Sequence, residues 1–206
     1  MLTLFDMPDS GNSYKVRLAA AHLGVPLMRV TMSSRDGSTR APDFLARNPI
    51  GKLPTLGLED GRYLAESNAI MLFLAEGRDE AGIRLMPADS YDRAKMYEWL
   101  FFEQYSHEPA IAVRRALFIY EERRALATPE RLVQLLDAGN RALTVMESRL
   151  SAHDWLAGDA LSLADIALYA YTHTAEEGGY DLGGYTGITA WLSRMAAQPG
   201  HVALTD

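Results

Sequence analysis

Cysteine is absent from this chain, which rules out disulfides and any cysteine-based catalysis. Positive charge is in deficit. The 20 Lys and Arg residues stand against 27 Asp and Glu, a formal net charge of −7. Such a field gives no reason to expect nucleic acid as a partner, so attraction for an anionic ligand has to come from local groups. No apolar run approaches the roughly 20 residues that cross a bilayer. Met1–Asp6 has no basic region ahead of its apolar residues, so it reads as a strand and not as a secretory leader. A soluble, cytoplasmic protein without membrane association is expected. The five histidines (His22, His107, His153, His173 and His201) show no metal spacing such as His-Glu-x-x-His, and no metal is expected. A Gly-x-Ser-x-Gly elbow, a phosphate loop and a Gly-x-Gly-x-x-Gly turn are missing as well.

What is present is an ordinary globular composition, 48% apolar and 23% charged over 206 residues, enough for one large domain or two small ones. Leu2–Phe5 reads as a strand and Asp6–Asn12 as a loop. From Ser13 the helical period carries Val16, Ala19, Ala20 and Leu23, with Gly24 and Pro26 as stop signals. Leu27–Met32 reads as a second strand, and a crossover of this length predicts a parallel pair. Ser33–Arg40 is a polar loop and Ala41–Arg47 a short helical piece. Gly77–Pro87 breaks the periodicity and reads as a linker. Beyond it the pattern is helical. Tyr91–His107 is one helix, and Pro109 interrupts or kinks the segment after it. Thr128-Pro129 caps another, lined by Leu132, Leu135, Leu136, Leu143, Met146 and Leu150. Gly178-Gly-Tyr and Gly183-Gly-Tyr echo each other in a loop, and a last helix covers Ile188–Ala197. In Leu161–Ile166, Ser162 and Asp165 have the spacing of a capping box, flanked by Leu161 and Ile166.

The most informative stretch is Asn48-Pro-Ile-Gly-Lys-Leu-Pro-Thr-Leu56, followed by Glu66-Ser67. A residue before proline is pushed toward extended geometry, so Leu53-Pro54 lies outside any helix. Pro54 lacks an N–H and belongs at the start or edge of a strand. Thr55–Leu58 and Arg62–Leu64 then read as strands joined by the turn Glu59-Asp60-Gly61, leading into a helix over Asn68–Ala75. An extended backbone at Leu53 and a helix start at Ser67 suit one small peptide-like anion.

That arrangement resembles the glutathione site of the cytosolic glutathione transferases. The Ser-x-x-Asp box at Ser162–Asp165 is a second point of resemblance, and length and element order extend it over essentially the whole chain. The resemblance implies an α/β thioredoxin-like domain of order βαβ-α-ββα over 1–77, a linker over 78–88 and an all-α helical bundle over 89–206. Asp9–Arg17 is similar to the motif of the serine-type classes, theta and zeta, and of many bacterial members. Aligned on Val16-Arg17, the family's catalytic serine falls on Ser10, with Asn12 and Ser13 as neighbouring donors. Tyr14 ranks below them because it sits inside the helix. Either serine also has a purely structural reading, as a helix cap.

For the ligand, the resemblance implies that Leu53 offers its backbone to the cysteinyl part, with Pro54 cis. Glu66 takes the γ-glutamyl ammonium, and Ser67 the γ-glutamyl carboxylate at a positive helix end. Lys52 suits the glycyl carboxylate, with Arg40 as a further anion contact and Gln104 reaching a partner subunit's glutathione. Trp99, Phe102, Tyr105, His107 and Arg114 fall in the segments that line the family's acceptor pocket, although aromatic residues at helical spacing are commonly core. A homodimer that uses glutathione as co-substrate against a small electrophile follows from the family. The same fold and ligand also serve isomerases, dehalogenases and peroxidases, and non-enzymatic binding proteins.

Overall fold

The computed structural model describes residues 1–78 and 84–206. The chain divides into two compact units, Met1–Leu85 with Pro199–Asp206, and Met86–Gln198. Part of the expected linker, residues 79–83, lies outside the described residues. The last eight residues, expected in the helical domain, belong to the first unit. Backbone carbonyls hold them there. Val202 accepts from the Tyr14 hydroxyl at 2.7 Å and Leu204 from Arg17 at 2.5 Å.

In the first unit, β1 (Leu2–Asp6), β2 (Leu27–Thr31), β3 (Thr55–Gly57) and β4 (Tyr63–Ala65) form a sheet of order β2-β1-β3-β4. β1 and β2 are parallel, as the crossover through α1 (Gly11–His22) predicts; the other two pairs are antiparallel. Side chains alternate across a strand, and β1 uses both faces. Leu4 packs with Val16 and Ala20 of α1 and with Ile70 and Leu74 of α3 (Ser67–Ala75). Phe5 points the other way, its ring 6.0 Å from that of Phe44 in α2 (Pro42–Leu45). The sheet is thus covered on both sides. α1 begins at Gly11, two residues before the start expected from periodicity, because Ser10 takes the cap with extended backbone.

The second unit is helical throughout its regular structure. α4 (Ser90–Phe102) and α5 (Glu108–Ile119) are joined by a π-helical turn over Glu103–His107, with Pro109 in the first turn of α5. Proline is tolerated at that position because its missing N–H has no intrahelical partner there. α6 (Pro129–Leu150) follows its Thr128 cap, and α8 (Thr186–Ala196) closes the unit. α7 (Leu163–Thr172) is buried along every residue, as expected of a helix apolar on all sides. Its capping box is formed. Asp165 accepts from the Ser162 N–H at 2.9 Å and the Ser162 hydroxyl at 2.8 Å. It also accepts from the Leu156 N–H and the Trp191 indole N–H, each at 3.0 Å. Among the described residues no helix is long and apolar enough to cross a membrane.

Candidate active site at the starts of two helices

The sheet register gathers the site. Thr55 lies opposite Ala65 on one side and Phe5 on the other. One step further, the end of β1, Pro54 and Glu66 all reach the same end of the sheet, where α1 and α3 also begin.

At the start of α1, Ser10 is partly exposed and its Oγ accepts from the Ser13 N–H at 3.4 Å. Its own N–H donates to the Met7 carbonyl at 3.0 Å, closing a turn. Ser13 is fully buried, and its hydroxyl oxygen accepts from the Met7 N–H at 3.2 Å, so it supports the loop from inside. Tyr14 is also buried, and its hydroxyl donates to Val202, facing residues 199–206 and not the start of the helix. Asn12 is half-buried and its Oδ1 accepts from the Ser67 hydroxyl at 3.0 Å.

That bond joins the first turn of α1 to the first residue of α3. Each helix start carries roughly half a positive charge from its unpaired N–H groups, so two such ends converge on one place. An anion is favoured there in a protein whose net charge is negative. Glu66, just ahead of α3, is exposed and has φ 67°, ψ 114°. A non-glycine residue in that region costs on the order of 1–3 kcal/mol and is held by its surroundings, a pattern common at ligand sites.

The third wall is the loop 48–54. The Leu53–Pro54 peptide bond is cis, as the resemblance implies. Sequence reasoning gave Asn48 no role, yet it organises this loop. Its amide donates to the Lys52 carbonyl and Thr55 Oγ1, both at 2.9 Å, and its Oδ1 accepts from the Ile50 N–H at 3.1 Å. Gly51 has φ +66°, and a Cβ there would stand 2.6 Å from Arg40 Nη1. Arg40 is exposed and donates to the Ile50 carbonyl at 3.1 Å, so it lies along the loop. The Lys52 side chain is exposed. Among the described residues no cluster of His, Cys, Asp or Glu is arranged to hold a metal ion.

Family models match the chain in both units. "Glutathione S-transferase, N-terminal domain" matches residues 1–76, and "Glutathione S-transferase, C-terminal domain" matches residues 100–199. The chain belongs to the glutathione S-transferase family. A solved glutathione S-transferase from Pseudomonas fluorescens is 44% identical with a TM-score of 0.93, covering 100% of this chain and 99% of its own. Glutathione S-transferase 4 of Zea mays is 34% identical over 191 residues, 88% of this chain and 82% of the relative. Ure2p solved in complex with glutathione is 25% identical with a TM-score of 0.86, covering 97% of this chain and 95% of its own.

The transferase candidates in the second unit fare differently from those in the first. His107 is fully buried, its Nε2 2.9 Å from Thr172 Oγ1. Arg114 is buried too, donating to the Leu132 carbonyl at 2.7 Å with its guanidinium over the Phe118 and Tyr180 rings. Both are buried in polar networks of this unit, since a polar or charged side chain at helical spacing is equally able to turn inward. Trp99 is buried, edge-on to Phe102 at 5.2 Å. Tyr105 is 89% exposed and lines a cavity of about 400 Å³ with Phe102, Ser106, Pro109, Leu135 and Val145. Gln104 is exposed, and its amide donates to the Glu103 and Glu108 carboxylates.

Proposed function

We propose that this chain binds glutathione in its first unit, holds the thiol as thiolate, and directs it at a small, apolar electrophile. The single observation that carries the reading is the Ser67–Asn12 bond, which ties two positive helix ends together beside the Ser10 cap. Family membership supports glutathione as the ligand.

In this reading Ser67 and the N–H groups of α3 take the γ-glutamyl carboxylate, and Glu66 takes the ammonium. Leu53 pairs with the cysteinyl backbone, and Lys52 with Arg40 draws the glycyl carboxylate. Ser10 donates its hydroxyl hydrogen to the sulfur. A free thiol ionises near pH 8.5 and is mostly protonated at neutrality. Lowering that by two units takes about 2.7 kcal/mol of extra stabilisation of the thiolate. One hydroxyl donor plus a helix end is of that order. The thiol proton passes to solvent, and the sulfur lone pair then forms a bond to the electrophilic carbon. In a substitution the leaving group departs with its bonding electrons, and in an addition the displaced π electrons take up a proton from water. We propose further that the chain works as a cytoplasmic homodimer.

The test is a titration with glutathione followed by thiolate absorbance at about 240 nm, where ionised thiols absorb. A bound thiol ionising about two pH units below the free one supports the transferase reading. Glutathione that binds with an unmoved thiol sinks it and leaves a binding protein. An activity panel across electrophiles, peroxides and isomerisable substrates then separates conjugation from the other reactions of the fold.

A further inference from the structure

Ser10 sits at the end of a short connection, Met7–Asp9, between β1 and α1, and something has to fix that connection in place. Two of its supports are local: the Ser13 hydroxyl on the Met7 N–H and the Ser10 N–H on the Met7 carbonyl. The third comes from Arg17. Residues i, i+4 and i+7 share one helix face, so Ser10, Tyr14 and Arg17 line up along α1, and helical side chains lean back toward the N-terminus. The Arg17 guanidinium accordingly reaches the connection. Its Nη1 donates to Asp6 Oδ1 at 2.6 Å and its Nη2 to the Pro8 carbonyl at 2.9 Å.

The same Nη2 donates to the Leu204 carbonyl at 2.5 Å. Leu204 belongs to residues 199–206, which are fixed independently. Val202 accepts from Tyr14, Asp206 accepts through its backbone carbonyl from Arg29 Nη1 at 2.6 Å, and Gly200 lies against His22. Arg29 Nε in turn takes the other oxygen of Asp6 at 2.9 Å. Asp6 is fully buried and Arg17 nearly so. A buried guanidinium between two carbonyls and a carboxylate has a defined orientation, since its donors form a rigid planar fork.

We propose that Arg17 is a positioning residue for the thiol-activating loop, and that residues 199–206 complete its clasp through the Leu204 carbonyl. The proposal rests on the reading of Ser10 above. Arg17 acts through the connection: it holds Pro8, and Pro8 leads to Ser10. The charged and titratable groups around the clasp are Asp6, Arg29, Tyr14 and His201. Burial holds the His201 imidazole below its ordinary pKa, and burial likewise lowers Arg17, which stays charged across any working pH.

The experiment compares wild type, Arg17→Met, Arg17→Lys, a deletion of residues 203–206 and Ser10→Ala. Each is measured for glutathione affinity, for the pH titration of the bound thiol, and for kcat/KM against pH. The proposal expects Arg17→Met and the deletion to raise the bound thiol pKa by about one unit, with a loss of about tenfold in kcat/KM near neutrality that closes as pH rises. Glutathione affinity should move less than about threefold, because its carboxylate and ammonium are held elsewhere. Arg17→Lys keeps the charge but not the fork, so it should fall with Arg17→Met. Full rescue by lysine overturns the clasp in favour of a simple charge effect.

An unmoved thiol pKa in a folded Arg17→Met or deletion variant reduces Arg17 to a structural residue and overturns the proposal. Where Arg17→Met does not fold, Arg17→Lys and the deletion decide. The two readings fail separately. A thiol that shifts with Arg17→Met but not with Ser10→Ala removes Ser10 as donor while keeping Arg17 as the support of the loop.

Discussion

The Ser67 hydroxyl donates to Asn12 Oδ1 at 3.0 Å, linking residues 55 positions apart in the chain. The bond makes one site out of two helix starts. It also gives Asn12 a bracing role at the site through its side-chain oxygen, the amide N–H groups being a separate donor set. An ordinary hydrogen bond of this kind contributes about 1 kcal/mol.

Asn12→Ala and Ser67→Ala should each weaken glutathione binding, because either one removes the bond that holds the two helix starts together. A double-mutant cycle on glutathione Kd should return a coupling of about 1 kcal/mol between the two positions. Strict additivity would show that the bond does nothing for the site.

Ser10→Ala and Ser13→Ala should separate chemistry from structure. Loss of a donor to a developing or bound anion typically costs about 100-fold. That is the expected fall in kcat/KM for Ser10→Ala near pH 6.5, shrinking as the thiol ionises unaided at higher pH. Ser13→Ala should cost far less in kcat/KM than Ser10→Ala, because it loosens the loop without removing the donor, and it strips the buried Met7 N–H of its acceptor, lowering stability by about 1–3 kcal/mol in urea unfolding.

Asp165 ties stability to pH in an unusual sense. Burial pushes its carboxyl from the ordinary 3.8 up to about 6, against the pull of four donors. The folded state therefore binds the proton more tightly than the unfolded chain does. Stability contributed by this group is full below about pH 4 and is lost as pH rises through about 6. Asp165→Asn should flatten that part of the profile relative to wild type when urea midpoints are compared from pH 4 to 7. Its amide hydrogens would face donors on at least one side, and a loss of about 3 kcal/mol is expected.

Gly139 stands in the middle of α6, where alanine would normally gain about 1 kcal/mol by helix propensity. A Cβ there would collide with the Tyr180 ring, and Tyr180 is buried with its hydroxyl on the Leu135 carbonyl at 2.8 Å. Gly139→Ala should therefore destabilise by about 1–3 kcal/mol by overpacking, read as a fall in Tm. The double variant with Tyr180→Phe should not recover it, because the ring atoms remain in the way.

Local signals made the first unit legible. Proline chemistry at Leu53-Pro54, the apolar period of α1 and the strand alternation each act over a few residues, and they place Ser10, Leu53 and Ser67 on the correct elements. Asn48 and Arg17 escaped because their roles are played by backbone carbonyls at Lys52, Pro8 and Leu204, which leave no trace in side-chain pattern. In the helical unit the period identified helices but not which polar residue turns inward. Thus His107 and Arg114 were legible as helical and illegible as core. Tyr180 and Tyr185 were visible as an echo. Only the structure shows that their hydroxyls dock on consecutive turns of α6, at Leu135 and Asn140.

Residues 199–206 belong with Met1–Leu85, and the whole of Met86–Gln198 is spliced between them. On the ribosome the first unit therefore emerges early but without its final piece. At about 5–20 residues per second, the buried Arg17 waits on the order of ten seconds before the Leu204 carbonyl is made. Until then the guanidinium has two partners where the finished protein gives it three, and the Arg17 contacts are completed only after the helical unit has been synthesised.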